Sequence, residues 1–302
     1  MSKTVFQEKL LTLLPHISMK IQEPMAKHTS FRIGGPAEVM AFPQNPDELA
    51  ALLKTSKLLD VKVSIIGAGT NILAPDQGIS GLVICLKDCL NGMKQVDTSH
   101  IWVASGVTMS RAAVYAAGLG LSGMEFAHGI PGCVGGGVYM NAGAYGGEIC
   151  QICQSVDVMF MDGSRAVWTA EDMQFSYRHS RLEDEKGIVL GANFCLSPMP
   201  EKEIRDKMAD LMSRRKNSQP LDKPSAGSAF KRPVGGYAAA LIEQTGLKGF
   251  RIGDAAVSQK HAGFVVNLGN ATAEDVKSLL TAVSDKVMDA TGIRLEPEVR
   301  IW

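Results

Sequence analysis

The chain predicts an α+β fold with largely antiparallel sheets, divided into two domains. Three observations carry that prediction. At 302 residues and 45% hydrophobic content the chain can bury a sizeable core, and its length suits two domains better than one. Its strand-like runs follow one another with few full crossover helices between them, which favours antiparallel pairing over a parallel doubly wound sheet. The texture changes at Pro198 and Pro200, where a strongly charged helix begins, so the expected division is 1–198 and 199–302.

The elements follow in order. KTVFQEKLLTLL carries apolar residues at helical spacing, and DELAALLKTSKLL repeats the pattern behind an acidic first turn that suits the positive end of the helix dipole. HTSFRIGGPAEVMAFP between them reads as extended and glycine-broken. VKVSIIGAGTNIL predicts a short strand entering a glycine turn, and GLVICL and HIWVASGV are strand-like. TMSRAAVYAAGLGL predicts a helix closed by Gly118 or Gly120. QSVDVMFMDG and GIVLGANFCL read as strands. Beyond the prolines, KEIRDKMADLMSRRKNSQP is an amphipathic helix with Met208, Leu211 and Met212 on one face and Arg214, Arg215 and Lys216 at its end. YAAALIEQTG predicts a helix, GFVVNLG a strand, and TAEDVKSLLTAVSDKVMDATG a long helix with Thr272 and Asp275 in capping-box spacing. LEPEVRIW closes as a strand.

Composition narrows the function. Thirty-one basic residues balance thirty-one acidic ones, so no overall field recruits nucleic acid or an anionic membrane, and the expected partner is a small molecule. No apolar stretch approaches the ~20 residues of a spanning helix, and no signal peptide precedes the first helix, so a soluble cytoplasmic protein is expected. The cysteines lie in apolar runs (Cys85, Cys89, Cys133, Cys195) and read as small buried hydrophobes of a reducing compartment. Cys150 and Cys153 form C-Q-I-C, but no second pair or histidine cluster accompanies them, and no metal site is expected.

Two glycine segments stand out. GAGTN at 67–71 follows a strand, where bare amides and the Thr70 and Asn71 side chains suit a phosphate; short turns of this kind also serve plain strand connections. It lacks the third glycine and following helix of a Rossmann fingerprint. GIPGCVGGGVYMNAGAYGGEI at 129–149 holds eight glycines interleaved with apolar residues, more than a rigid structural turn needs. Together they suit a long diphosphate cofactor.

HTSFRIGGPA, GAGTN, GIPGCVGGGVYMNAGAYG, FSYRHS, PSAGSAFKRP and LEPEVRIW occur in the order in which similar motifs occur in the UDP-N-acetylenolpyruvoylglucosamine reductases, and the chain resembles that family from about residue 27 to its end. The resemblance implies a two-lobed FAD-binding domain of the vanillyl-alcohol-oxidase (PCMH) type, its lobes about 1–60 and 61–198, plus a smaller α+β substrate-binding domain. It implies that Gly67, Ala68, Gly69, Thr70 and Asn71 grip the flavin diphosphate, and that Gly129, Ile130, Pro131, Gly132, Gly135, Gly136, Ala142 and Gly143 line the cofactor. No histidine or cysteine occupies 67–73, so noncovalent FAD is expected.

The implied reaction is NADPH-dependent, FAD-mediated reduction of UDP-N-acetylglucosamine enolpyruvate to UDP-N-acetylmuramate, a step of peptidoglycan precursor synthesis. Three residues match the family's catalytic positions. Arg178 is a fixed cation suited to a carboxylate becoming an enediolate. Glu298 beside that carboxylate would help only if protonated; without the resemblance it is an edge-strand charge, and Glu296 is its neighbour. Ser228 is the expected proton donor, an adequate acid for a carbanion-like intermediate when well placed. Tyr177, Arg214, Lys216 and Lys231 are the expected substrate contacts, although the Arg214–Lys216 cluster also reads as a solvated helix end and Tyr177 as packing. Lys260 and His261 stay open. Arg232 stands where many relatives have asparagine, and the chain has no tyrosine-bearing insert, which resembles the compact second type of the family. A flavin-dependent oxidase of the same fold and a non-enzymatic nucleotide-binding regulator are the rival readings.

Overall fold

The computed structural model describes the backbone of residues 3–302 and the side chains from residue 6 onward. The chain forms two compact units: residues 1–21, 39–68 and 81–214, and residues 22–38, 69–80 and 215–302. Chain order and unit membership therefore part company. The expected division at residue 198 leaves 22–38 and 69–80 with the amino-terminal part, whereas both cluster with 215–302.

The first unit is built on two sheets. In one, the strands lie in the order Ser18–Pro24, Pro36–Phe42, Ile79–Cys85, Val63–Ile66. Val63–Ile66 and Ile79–Cys85 pair in parallel, an exception to the antiparallel expectation. The helices Lys3–Leu13 and Pro46–Leu58 contribute Leu10, Leu49, Leu52 and Leu53 to the core formed with Val39, Ala41, Leu82 and Ile84. Pro46–Leu58 starts cleanly: the Asn45 side chain accepts the amides of Asp47 and Glu48, with Pro46 at the first helical position.

The second sheet of this unit is antiparallel, in the order Arg165–Thr169, Cys153–Met159, Ile188–Cys195, His100–Ala104, Met93–Gln95. The Met109–Gly118 helix buries Ala112, Ala113, Ala116 and Ala117. Gly120 rather than Gly118 closes it. Its φ of 68° is the left-handed conformation glycine adopts without a Cβ clash, and its amide bonds Ala117 O. One cysteine departs from expectation: Cys195, the last residue of its strand, is exposed, because strand alternation turns it outward after buried Phe194. Cys85, Cys89 and Cys133 are buried as expected; of the C-Q-I-C pair, Cys153 is buried and Cys150 is a half-buried free thiol.

In the second unit, Ser225–Ser228, Phe264–Asn267, Ala255–Val257 and Arg251–Ile252 form an antiparallel sheet in that order. The Ala273–Thr291 helix buries Val276, Leu279, Leu280, Val283 and Val287, a stripe at helical spacing, in the core shared with Phe31, Leu73, Val265 and Leu295. Thr272 and Asp275 make the expected capping box. A second acid adds to it: Asp76 accepts the Ala273 amide at 2.8 Å and that of Glu274 at 3.2 Å. Two further bonds tie the 22–38 segment in. Ser30 Oγ donates to Ser225 O at 2.6 Å, and Asn267 Nδ2 donates to Phe31 O at 3.0 Å. LEPEVRIW is strand only at Arg300–Ile301, which pairs in parallel with Ile72–Leu73.

Candidate active site

In the first unit the start of the 67–71 turn, Gly67 and Ala68, meets the glycine-rich run. A Cβ on Gly67 would lie 3.8 Å from Cys133 Cβ, ordinary contact, and the Ala68 amide is hydrogen-bonded to the Cys133 thiol. Burial pushes that thiol up to about 11, so Cys133 is an inert packing group beneath the turn.

The run from Gly129 is not one loop. Val134–Tyr139 is a short helix, and Gly143–Ala144 pairs with Gly147–Glu148 as a small hairpin. Four of its eight glycines are required by the protein's own packing. A Cβ would come within 2.8 Å of Ser105 Cβ at Gly135, 2.8 Å of Met109 Sδ at Gly137, 2.7 Å of Glu148 Cγ at Gly143 and 2.5 Å of the Phe126 ring at Gly147. The expectation of more glycines than structure needs therefore does not hold for these four, which the fold itself requires. Gly135, expected on the cofactor, also has its amide bonded to Ser105 O.

Gly136 is different. It is exposed, and an added Cβ there meets no atom of the described residues within 4 Å. The same holds at Gly146. A side chain at Gly136 would be met only by something bound from outside, which is how backbone that carries a flat cofactor should look, whereas at Gly146 the φ of 84° disfavours a side chain by itself. The remaining expected contacts are scaffold as well as lining: Ile130 donates its amide to Ala127 O and packs on the core, Gly132 O accepts the Met109 amide, and Ala142 bonds Gly137 O. Pro131 is exposed and Gly129 half-buried.

Arg178 stands in the same unit, in a tight turn. Ser176 and His179 exchange both backbone hydrogen bonds, at 3.1 and 3.3 Å, with Tyr177 and Arg178 at the tip. Arg178 has φ of 58°, an uncommon left-handed conformation for a bulky residue. Its guanidinium lies 5.0 Å from the Tyr177 ring centroid, and Nη2 donates to Gly143 O at 3.4 Å, so the turn leans on the glycine run. Ser180 Oγ adds a 2.7 Å bond to Tyr139 O. Asn141, which sequence reasoning passed over, is buried between turn and run. Its Nδ2 donates to Ser176 O and to Glu148 Oε2, both at 3.0 Å, and its Oδ1 accepts the Cys150 amide at 2.9 Å. An asparagine inside a glycine-rich segment was the available signal, since it tolerates left-handed backbone and offers two donors.

The second unit collects the other candidates. Ser228 ends the Ser225–Ser228 strand opposite Phe264, after a register shift, and Gly227 has φ of 77°. That irregularity leaves Ser228 exposed between buried Ala226 and Ala229. Alongside it runs the 296–298 segment: Glu298 donates its amide to Ala229 O at 2.9 Å, Lys231 donates to Glu296 O at 2.8 Å, and Phe230 bridges Pro297. Ser228 thus neighbours the residue directly paired with Glu298. Asn71 pins the same segment, its Nδ2 donating to Glu298 O at 3.0 Å while its own carbonyl accepts the Arg300 amide. The turn residue Gly69 has φ of 60°, and a Cβ there would strike His28 O at 2.0 Å.

The two glutamates separate. Glu298 is half-buried, whereas Glu296 is exposed and lies 3.5 Å from Lys231 Nζ. The helix-end cations separate too. Arg214, in the first unit, is exposed and pairs with Asp210 one turn back at 2.9 Å. In the second unit Arg215 is buried and Lys216 exposed, while Lys260 Nζ donates to Lys216 O at 2.6 Å. His261 packs edge-on against Phe264 and accepts the Gly263 amide at Nδ1; burial holds it below the ordinary histidine range, the behaviour of a structural imidazole. Among the described residues no group of three histidine, cysteine or acidic side chains is placed to hold a metal.

Comparison with known proteins bears on these arrangements directly. Residues 37–168 match an FAD binding domain, and residues 219–302 match the C-terminal domain of UDP-N-acetylenolpyruvoylglucosamine reductase. The reductase of that name from Agathobacter rectalis is 44% identical, over 98% of both chains, and that of Streptococcus pneumoniae 43% identical over 98% of this chain and 97% of its own. The crystal structure of the Thermus caldophilus reductase superposes with a TM-score of 0.79 at 34% identity, covering 95% of this chain and 99% of that one. With a glycine-rich run beside the start of the 67–71 turn, a serine-bearing strand paired with the 296–298 segment, and this similarity over nearly its whole length, the chain belongs to the UDP-N-acetylenolpyruvoylglucosamine reductases.

Proposed function

We propose that the chain reduces the enolpyruvyl ether of UDP-N-acetylglucosamine to the lactyl ether of UDP-N-acetylmuramate in peptidoglycan precursor synthesis, with FAD bound noncovalently and NADPH as hydride donor. The observation that carries the reading is the main-chain pairing of the segments that hold Ser228 and Glu298, in the unit matched by the reductase's own C-terminal domain. FAD when bound supplies hydride transfer, taken from the nicotinamide and given to the substrate double bond. The 67–71 turn and the bare, open backbone at Gly136 fit such a cofactor. In this reading residues 1–198 form the cofactor domain and also supply Tyr177 and Arg178 to the substrate, and residues 199–302 form the substrate domain.

The protein has two tasks beyond holding the cofactor. Hydride added at the terminal carbon leaves negative charge spread onto the substrate carboxylate, and a fixed cation aimed there lowers the barrier; Arg178 takes that part. The adjacent carbon then needs one proton. Ser228 delivers it from its hydroxyl, and the half-buried Glu298, when neutral, hydrogen-bonds the same carboxylate. Lys231 lies close enough in sequence to restore the serine's proton, its exposed pairing with Glu296 being weak. Arg214 and Lys216 suit the uridine diphosphate; an exposed pair such as Arg214–Asp210 contributes only about 0.3–0.5 kcal/mol and gives way readily to a phosphate. Tyr177, exposed beside Arg178, contacts the sugar nucleotide. Cytoplasmic residence follows from these soluble nucleotide reactants; no helix among the described residues is long and apolar enough to cross a membrane.

The test is anaerobic. Flavin bleached by NADPH should regain its colour far faster with the enolpyruvyl sugar nucleotide than with oxygen. Equal rates would favour an oxidase, and protein purified without flavin absorption would favour a nucleotide-binding regulator.

A further inference from the structure

We propose that Asn141 is the positioning residue that sets the Arg178 guanidinium. The proposal rests on the reading of Arg178 as the cation that receives the substrate carboxylate.

Arg178 has a conformational problem. At φ of 58° its backbone is left-handed, a conformation that is strained for a non-glycine residue and persists only where the surroundings over-determine it. The turn supplies part of the constraint through the exchanged Ser176 and His179 hydrogen bonds. That pair alone closes a loop tip without fixing where the tip points.

Asn141 supplies the direction. It is 2% exposed, and its carboxamide uses both protons and one oxygen lone pair: Ser176 O and Glu148 Oε2 at 3.0 Å, and the Cys150 amide at 2.9 Å. Ser176 O is the carbonyl that opens the Arg178 turn, and it accepts from His179 N and Asn141 together. The other two contacts bind the carboxamide to the segment just beyond the glycine run, so it cannot rotate without breaking them. Asn141 is itself left-handed, φ of 45°, which a short amide side chain tolerates better than most. The turn that carries left-handed Arg178 is thus clamped, at the Ser176 carbonyl, to left-handed Asn141 through one buried amide. Aspartate is nearly the same shape but has no proton for Ser176 O, and it would set a second carboxylate against Glu148. The requirement is for an amide.

Asn141→Gly separates the amide from the backbone, because glycine keeps the positive φ without strain. In the flavin-loaded protein, Asn141→Gly is expected to leave reduction by NADPH within about twofold, while slowing reoxidation by the enolpyruvyl sugar nucleotide by about tenfold or more and weakening that nucleotide's calorimetric affinity for the oxidised protein. Asn141→Asp is expected to be worse than Asn141→Gly. In an Arg178→Ala background Asn141→Gly should add less than about twofold, since residues that act through one another are not additive. Full additivity, or an Asn141→Gly protein that loses both half-reactions together with many degrees of thermal stability, would show a general structural role and overturn the proposal. Normal reoxidation in Asn141→Gly beside crippled Arg178→Ala overturns it alone. Normal reoxidation in Arg178→Ala overturns it together with the catalytic reading of Arg178.

Discussion

Arg178 and Ser228 are held in opposite ways. Arg178 sits at a turn braced against a buried asparagine, a serine hydroxyl and a backbone carbonyl of the glycine run, all within the first unit. Ser228 stands exposed at an irregular strand end in the second unit, with a left-handed glycine before it. The difference matches their proposed tasks. A cation that meets developing charge acts through fixed direction and distance, whereas a hydroxyl that gives up one proton needs reach and a route for its replacement.

The comparison can be broken at either end. Ser228→Ala should keep reduction by NADPH and lose about 10²–10⁴-fold in sugar-nucleotide reduction, as removal of a general acid does. A stopped-flow measurement in which both half-reactions fall together would sink the proton-donor role. Arg178→Ala should slow the same half-reaction by about 10²–10³-fold, and Arg178→Lys should restore only part, because an ammonium lacks the planar fork. Complete rescue by lysine would mean that charge alone suffices and that the bracing is idle.

The glycine run sharpens the contrast between packing and binding. Gly147→Ala forces a Cβ into the Phe126 ring and should destabilise by about 1–3 kcal/mol in a thermal melt. Gly136→Ala should leave the flavin-free melt unchanged and weaken flavin retention, measured by absorbance after gel filtration. The opposite pattern would reassign which glycines serve the cofactor.

Smaller effects separate the interiors of the two units. All six cysteines lie in the first. Cys195 should react with a disulfide reagent at once, while Cys89 and Cys153, pushed up by burial to about 12, and Cys133, to about 11, should wait for unfolding. In the second unit, burial lowers His261, so the fold favours the neutral ring and the unfolded chain takes up the proton first as pH falls. Its contribution is fully present above the unfolded value, near 6.5, and is lost as pH falls below that point through the folded value. Replacing His261 with glutamine should flatten the melting temperature across this range, the smallest effect predicted here.

Much of this architecture was readable in one dimension because its causes are local. Helical spacing marked the long Ala273–Thr291 helix and its capping box, and short apolar runs marked the central strands, since each pattern reflects neighbours within a few residues. The glycine segments and the serine and arginine motifs stood out by composition and by resemblance to the reductase family. Other features depend on partners far along the chain. Glu296 and Glu298 differ only in which segment each faces, Asn71 holding the Glu298 carbonyl and Lys231 the Glu296 carboxylate. Arg215 is buried and its two cationic neighbours are exposed, a distinction that helical charge spacing does not reveal.

Residue order alone was enough to suggest the family, the flavin chemistry and the candidate residues, because its ordered motifs resemble those of the reductases. Folding settled which glycines are scaffold, that Asn141 bonds the Ser176 carbonyl at the base of the Arg178 turn, and that residues 22–38 and 69–80 join the carboxyl-terminal unit. Those outcomes rest on contacts between segments tens to hundreds of residues apart, and the free energy of such contacts is a property of packed neighbours that no local pattern encodes.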